Sequence, residues 1–252
     1  MKITVLGKSP AWQDAGGACS GYLVEEGDCR VLIDCGNGVF GKLRDYCDYE
    51  DVDAVVITHL HSDHCFDVIP YAYALSYSPL AQSAVRPRPN LYAPPGGRDA
   101  FRTITGTWQL PELVEQAFCM FEYDPAATIE VGPLRISFHE VPHYIRTFAV
   151  QVVAGERSFT FGADCCPNEA IVKFAAGTDL LMLEATLEHP ENGHRGHLTA
   201  QEAGDHARRA NARRLVLTHF SAGPHAEVAR TDAERAFGSR VELAAEGVAF
   251  TV

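Results

Sequence analysis

The chain has 252 residues, 46% of them hydrophobic and 21% charged, with a formal net charge of −12. That is the make-up of an ordinary globular protein with a sizeable core, here expected as one large α/β domain over residues 1–252. The acidic balance works against broad attraction to nucleic acid or anionic lipid, both of which rely on clustered Lys and Arg. No apolar run approaches the roughly 20 residues a membrane helix needs. The opening "MKITVLGKSP" reads as a short strand without an h-region or cleavage site, so a cytoplasmic protein is expected. The eight cysteines include no CxxC pair and are expected as reduced thiols, several of them small core residues.

In chain order, "KITVL", "GYLVE" and "CRVLIDCG" have the β-branched runs and Gly punctuation of a meander. "GVFGKLRDY" follows as a short helix, and "DAVVITH" is the near-continuous apolar run of a strand buried on both faces. "SDHCFDVIPYAYALSY" is predicted as a helix, with Ser62 as N-cap, Asp63 in its first turn and Pro70 kinking or dividing it. "RPRPNLYAPPGG" is a Pro-rich connection with a brief strand inside, and "RDAFRTITGTW" and "PELVEQAF" are helical. "TIEVGPLRISFHEVPH", "TFAVQVVAGE" and "RSFTFGAD" then read as three antiparallel strands, the last two joined at a Gly-containing turn. The chain continues with the helix "NEAIVKFAAG", the strand "DLLMLEA", the helix "TAQEAGDHARRAN", the strand "RLVLTHF", the helix "HAEVARTDAERAFG" and a closing strand "RVELAAEGVAFTV". The same order, a meander and then βα alternation, occurs twice. It predicts two packed sheets with helices outside.

The chemistry concentrates in "AVVITHLHSDHC", where a buried strand ends and releases His59, His61, Asp63 and His64 within six residues. At a strand end, His59 and His61 leave on the same side, and the helix that follows returns Asp63 and His64 toward the same point. Imidazole suits zinc, iron or manganese, and a carboxylate adds a hard anionic ligand. Four ligands so close together fit two ions side by side better than one, which requires further ligands from other strand ends. His143 in "HEVPHYI", Asp164 in "FTFGADC" and His219 in "LVLTHF" each follow an apolar run and precede a break, where α/β sites are usually built. Asp164 is the candidate bridge between the ions. His139, His189, His194, His206 and His225 are weaker candidates by their placement.

HxHxDH followed by a His, an Asp and a His at successive strand ends resembles the metallo-β-lactamase superfamily, along essentially the whole chain. The resemblance implies a four-layer αβ/βα sandwich with its metals at the edge between the halves. It implies that His59, His61 and His143 hold one metal, that Asp63, His64 and His219 hold the second, and that Asp164 bridges. The family's usual Gly before that Asp is Ala163 here. "LMLEATL" and "GHLTAQEAG" resemble the HEAT and HSTA motifs of the ribonuclease Z and phosphodiesterase branch, with Leu183 and Leu198 in place of a His and a Ser. By that likeness His197 is a candidate acid for a leaving oxygen, and Glu184 a candidate to orient it. The opening forty residues and the "THLHSDHC" block are similar to small bacterial cyclic-nucleotide-degrading phosphodiesterases.

The reading is therefore a hydrolase with two divalent ions, Zn2+ first and Mn2+ or Fe as alternatives. A hydroxide shared by the ions would attack the phosphorus of a cyclic nucleotide or similar small anionic diester. Asp63 would serve both as ligand and as proton acceptor. Hydrolysis of carboxylic esters, lactones or thioesters on the same metal pair is the runner-up. An RNA nuclease comes third, because ribonuclease Z carries a long tRNA-binding arm between its third and fourth motifs. Here that interval is only Tyr144 to Ala163, which two strands account for. A metal-binding protein without turnover is the remaining class. Cys65 and Cys165 flank the motifs but are expected to pack beneath the loops. Specificity is expected from the loops at Pro10 to Ser20 and Tyr71 to Pro95. A homodimer agrees with the resemblance, although no stretch declares an interface.

Overall fold

The structure is a computed structural model that describes residues 1–79, 88–191, 193–223 and 225–252. Its first half contributes β1 (Lys2–Gly7), β2 (Gly21–Glu26), β3 (Cys29–Ile33), β4 (Ala54–Val56), β5 (Asn90–Ala93) and β6 (Cys119–Glu122). Its second half contributes β7 (Ile129–Val131), β8 (Leu134–Val141), β9 (Thr147–Ala154), β10 (Arg157–Phe161), β11 (Leu180–Glu184), β12 (Leu215–Thr218), β13 (Val241–Leu243) and β14 (Ala249–Thr251). Two sheets form, in the orders β14-β1-β2-β3-β4-β5-β6 and β13-β12-β11-β10-β9-β8-β7. Each is antiparallel on one side and parallel on the other. The change falls at β3–β4, where Val31 faces Ala54, and at β10–β11, where Phe159 faces Leu180.

The period-2 alternation of the strands distributes the core. Ile3, Val5, Tyr22, Val24, Val31 and Ile33 point into the space between the sheets, where they meet Phe138, Phe148, Val150, Phe159 and Met182. Leu23, Leu32 and Val55 point the other way, against α1 (Val39–Leu43), α3 (Val68–Tyr77), α4 (Gly97–Gly106) and α5 (Leu113–Ala117). Leu181, Leu183, Leu215 and Leu217 do the same on the second sheet, against α6 (Glu169–Phe174), α7 (Ala200–Arg209) and α8 (His225–Phe237). Two outer helical layers enclose two sheets, the αβ/βα sandwich expected from the sequence. Each large side chain buried here contributes about 1.5–3 kcal/mol. Among the described residues, no helix is long and apolar enough to cross a membrane.

The structure differs from the sequence reading at several elements. The predicted helix over Ser62 to Tyr77 is two helices, α2 (Ser62–Cys65) and α3, separated at Phe66 and Asp67. His61, not Ser62, is the N-cap of α2, and it makes no side-chain capping bond. Pro70 lies in the first turn of α3, where no intrahelical N–H bond is lost, so the division falls ahead of it. The stretch read as one strand from Thr128 is the hairpin β7–β8, and β6 was not anticipated. The closing strand is also two: β13 stays in the second sheet, whereas β14 crosses to the first and pairs with β1. Arg86 and Pro87 of the Pro-rich connection, and residues 80–87 of the anticipated specificity loop, lie outside the described residues. What remains of that connection holds β5, a strand paired on both sides.

Candidate metal centre

The ligand candidates converge where the strands of both sheets end. His59, His61, Asp63 and His64 follow β4, His143 follows β8, Asp164 follows β10 and His219 follows β12. Two of these turns are made by residues in the left-handed region, Ala163 (φ 52°) after β10 and His219 (φ 55°) after β12, and so is the turn after β3, by Asp34 (φ 57°). Such a backbone costs about 1–2 kcal/mol at a non-glycine residue. This is the physical reason a glycine is at home at position 163. Gly36 has a different role. A Cβ there would lie 1.9 Å from the carbonyl oxygen of Asp63, so only glycine lets the β3 turn lie against α2. The Cys35 N–H donating to His64 O and the Asp67 N–H donating to Cys35 O fasten the two together.

Side chains able to bind a cation form two sets. His59, His61 and His143 bring one nitrogen each within mutual reach of 4.8 Å, as do Asp63, His64, Asp164 and His219 with one nitrogen or oxygen each. Asp164 is shared, since it also lies in such a group with His143 and His197. Its Oδ1 is 3.3 Å from His64 Nε2 and its Oδ2 is 3.4 Å from His219 Nε2. His61 Nδ1 and His143 Nε2 face each other at 3.1 Å. Asp63 Oδ2 lies 3.2 Å from His219 Nε2 and 3.7 Å from His64 Nε2.

Four of the five histidines have Nδ1 held from behind. His143 Nδ1–H donates to Gly196 O (2.8 Å), and His64 Nδ1–H to Asp34 Oδ2 (2.6 Å). Thr58 Oγ1 donates to Asp34 Oδ2 (2.9 Å) and so accepts from His59 Nδ1–H (3.0 Å). In the other half of the molecule, Thr186 Oγ1 donates to Glu184 Oε2 (2.6 Å) and accepts from His219 Nδ1–H (2.7 Å). Glu184 Oε1 accepts from His197 Nδ1–H (2.9 Å) and from the Cys165 N–H (2.9 Å). Each half thus uses one fully buried carboxylate, Asp34 or Glu184, to fix one histidine directly and a second through a threonine. Such an arrangement selects the tautomer that presents Nε2 as a lone pair.

Electrostatics agree with cation binding. Burial lowers the pKa of His59 well below the ordinary imidazole value and takes His143 down to about 4, so both are neutral lone-pair donors. Burial opposes the charge on Asp63 and Asp164, but the surrounding histidines hold both carboxyl groups below their ordinary value. His64 is also opposed by burial, yet Asp164 and Asp34 on either side raise it well above the ordinary imidazole value. A cation at Nε2 would satisfy the same carboxylates. His59 Nε2, His64 Nε2 and Asp164 Oδ1 are buried without a hydrogen-bond partner, although the last two approach to 3.3 Å. Orphaned polar atoms in both donor sets are costly unless cations meet them, so the donors fit divalent metal.

The remaining assignments fall out of the same geometry. His197 lines a cleft of about 260 Å³ together with His61, Asp63, Asp164, His219 and Trp12. Glu184 is fully buried, is not among the residues lining the cleft, and accepts hydrogen bonds from His197 and Thr186, which are. Leu183 and Leu198 are core residues of the second helical layer. Cys65 and Cys165 are buried free thiols in the two outer cores, as expected. His139 stacks on Phe174 at 5.4 Å, and His206 Nε2 accepts from the Asn168 N–H at 3.0 Å, so both serve packing or capping. Sequence reasoning missed Asp34, Thr58 and Thr186. Asp34 ends the apolar run "VLID" just as Asp164 follows "FTFGA", so the same rule would have found it.

A sandwich with this centre at its strand ends defines a class, the metallo-hydrolases of the β-lactamase fold. Residues 29–220 match the family model described as the Beta-lactamase superfamily domain, and the chain belongs to that superfamily. It is 30% identical over 98% of both chains to a Bacillus subtilis protein named probable metallo-hydrolase YhfI. The crystal structure of YhfI superposes with a TM-score of 0.89 at 27% identity, covering 99% of this chain and 98% of that one. The short form of human tRNase Z gives a TM-score of 0.76 at 25% identity, covering 100% and 99%. The chain is a metallo-hydrolase of this superfamily.

Proposed function

We propose that the protein is a dinuclear phosphodiesterase acting on small anionic diesters, cyclic nucleotides among them, with residues 1–252 as its one catalytic domain. The observation that carries the reading is the pair of donor sets meeting at Asp164 beside His197. His59, His61 and His143 would hold one ion, Asp63, His64 and His219 the other, and Asp164 both, with Zn2+ the first choice. Bound there, two divalent cations activate water at neutral pH and neutralise charge on phosphoryl oxygens.

The chain's own groups then move the protons. Asp63 engages the histidines through Oδ2, which leaves Oδ1 to take the proton of the attacking water. Burial disfavours charge on His197, but its bond to Glu184 and the nearby Asp164 raise its pKa above the ordinary imidazole value, which favours an acid. With Nδ1–H committed to Glu184, the proton given to the departing alkoxide comes from Nε2. Diester and water become monoester and alcohol, and catalysis by such an acid contributes about 10²–10⁴-fold.

Hydrolysis of a tRNA precursor is the reading that the similarity to tRNase Z favours. Against it stand the net charge of −12 and the interval Tyr144 to Ala163, which β9, β10 and the turn between them occupy. The test is turnover of 3′,5′-cyclic AMP, 2′,3′-cyclic AMP and bis(p-nitrophenyl) phosphate against p-nitrophenyl acetate, a lactone and a 3′-extended tRNA. Chelated enzyme and Asp63→Ala serve as controls. Diester turnover lost in both controls is expected; turnover of the ester, the lactone or the tRNA alone would overturn the proposal.

A further inference from the structure

Two cavities adjoin at the metal centre. The cleft over the donor sets holds about 260 Å³ and its neighbour about 440 Å³, so only the neighbour falls within the roughly 300–1,000 Å³ of small-molecule sites. Among the described residues, Trp12 and Thr186 alone line both and form the wall between them. The neighbouring cavity runs between the loop after β11 and the helices α7 and α8, with Leu187, Phe220, Ala226 and Ala229 on its apolar walls. None of the ligand candidates lines it. Whatever enters that space does so past the wall.

Both members of the wall are tethered. Thr186 Oγ1 donates to Glu184 Oε2 at 2.6 Å and accepts from His219 Nδ1–H at 2.7 Å, so it cannot turn aside without releasing a ligand histidine. Trp12 Nε1–H donates to Ser221 Oγ at 2.7 Å. The residues that bracket Trp12 are tied to the same loop: Lys8 donates to Phe220 O at 2.8 Å, and the Ala222 N–H donates to Asp14 Oδ2 at 3.0 Å. Phe220 to Ala222 directly follow His219, so these tethers hold the indole in register with the second donor set. The residue is 62% exposed, and its place is set by the tethers instead of by core packing. A large rigid ring in that position is a partition. Its removal would join the two spaces and cost the core nothing.

We infer, resting on the hydrolase reading, that Trp12 sets the size limit of the substrate: it closes the neighbouring cavity to ester substituents, so the protein gains nothing from an extended apolar group. Without the indole, the walls at Leu187, Phe220 and Ala229 become a subsite for an extended aromatic substituent. Phosphonates test this apart from turnover, because their P–C bond is not hydrolysed. Zn2+-loaded protein is titrated calorimetrically with methylphosphonate and with biphenyl-4-ylphosphonate, which present the same anion and differ in the substituent. The parent should bind the two within about threefold of each other. Trp12→Ala should prefer the biphenylyl compound about tenfold or more, since aromatic surface is then buried. Adding Ala229→Phe, which fills the cavity, should remove that preference, and Trp12→Phe, which keeps a ring in place, should behave as the parent. Methylphosphonate affinity should stay within about twofold throughout, which separates a change of wall from damage to the metal centre.

In turnover, the KM for bis(p-nitrophenyl) phosphate relative to methyl p-nitrophenyl phosphate should fall in Trp12→Ala. A ratio of phosphonate affinities unchanged by Trp12→Ala would overturn the inference while leaving the hydrolase reading intact. So would a preference for the biphenylyl compound already present in the parent and lost in Ala229→Phe, or a parent that binds neither phosphonate. The expected phosphonate ratios without turnover of either diester would sink the hydrolase reading and leave the partition standing. Should Trp12→Ala fail to fold, Trp12→Leu decides in its place, and an unchanged ratio in it would count against the inference.

Discussion

At the scale of single residues, the centre is defined as much by what stands behind the histidines as by the histidines. Asp34 is the clearest case. It is fully buried, accepts from the Thr58 N–H at 2.8 Å, and fixes both His64 and, through Thr58, His59. Asp34→Asn keeps the shape but replaces an acceptor oxygen with a donor amide. Metal affinity should fall about 10–100-fold, the usual cost of losing such a partner, while circular dichroism stays unchanged. Unaltered affinity in a competitive chelator titration would show that the lone-pair orientation is set elsewhere. Glu184→Gln should lower kcat more than metal affinity, because Glu184 serves His197 directly and His219 only through Thr186. A drop in metal content without a drop in kcat per bound metal would contradict that division. The residues that the structure gathers into the two donor sets were legible in the sequence, since each is a His or Asp at or just past the end of an apolar run. Thr58 and Thr186 were not, because a threonine beside a ligand looks like any strand residue until its hydroxyl is placed between two partners.

At the scale of elements, the β1–β2 loop acts as a strap between the two halves. Lys8 is bonded to Asp14 and donates to Phe220 O at 2.8 Å, the Ala222 N–H donates to Asp14 Oδ2 at 3.0 Å, and Trp12 reaches Ser221. Burial acts to raise the pKa of Asp14, but Lys8 and the Ala222 N–H more than offset it and leave the carboxyl below its ordinary value. The sign follows from linkage. A depressed carboxyl stabilises the strap above its unfolded pKa, and that contribution is lost as pH falls through the lowered value. Trp12 fluorescence should therefore hold steady from neutrality to the ordinary carboxylate range and change below it. In Asp14→Asn the change should be present at every pH. A flat response in both proteins would separate Trp12 from this ion pair. This strap was not legible in the sequence, since pairing across more than 200 positions leaves no local pattern. The same reason hid the fate of β14: "AFT" alternates like any strand, and nothing local says which sheet it joins. The split between α2 and α3 was half legible, as Pro70 marked a boundary nearby but its tolerance in a first turn moved the break.

At the scale of the whole molecule, the repeat of meander and βα alternation gave away the layers, because period-2 strands with two apolar faces need helices outside both sheets. The two halves meet around a cluster that is strongly polar for its burial: His59, Asp63, His64, Asp164 and His219 are each at most 5% exposed. Without a cation those groups are poorly matched, so metal and fold should be linked. Stripping the metal should lower Tm, and Zn2+ should restore it in proportion to its free concentration, as expected for a ligand of the native state. Protons compete for the same lone pairs, but burial holds His143 down to about 4 and His59 well below the ordinary imidazole value, so that set should keep its metal until pH falls below the imidazole range. A Tm indifferent to chelator would mean that the cluster is stable by itself.

Metal stoichiometry decides whether Asp164 joins a pair of ions. Elemental analysis of the purified protein, its His143→Ala variant and its Asp164→Ala variant, each checked for native circular dichroism, would decide. About two divalent ions are expected in the parent, about one in His143→Ala, where only the first set is damaged, and fewer than one in Asp164→Ala. A parent that binds a single ion, or an Asp164→Ala variant that keeps the full complement, would contradict it.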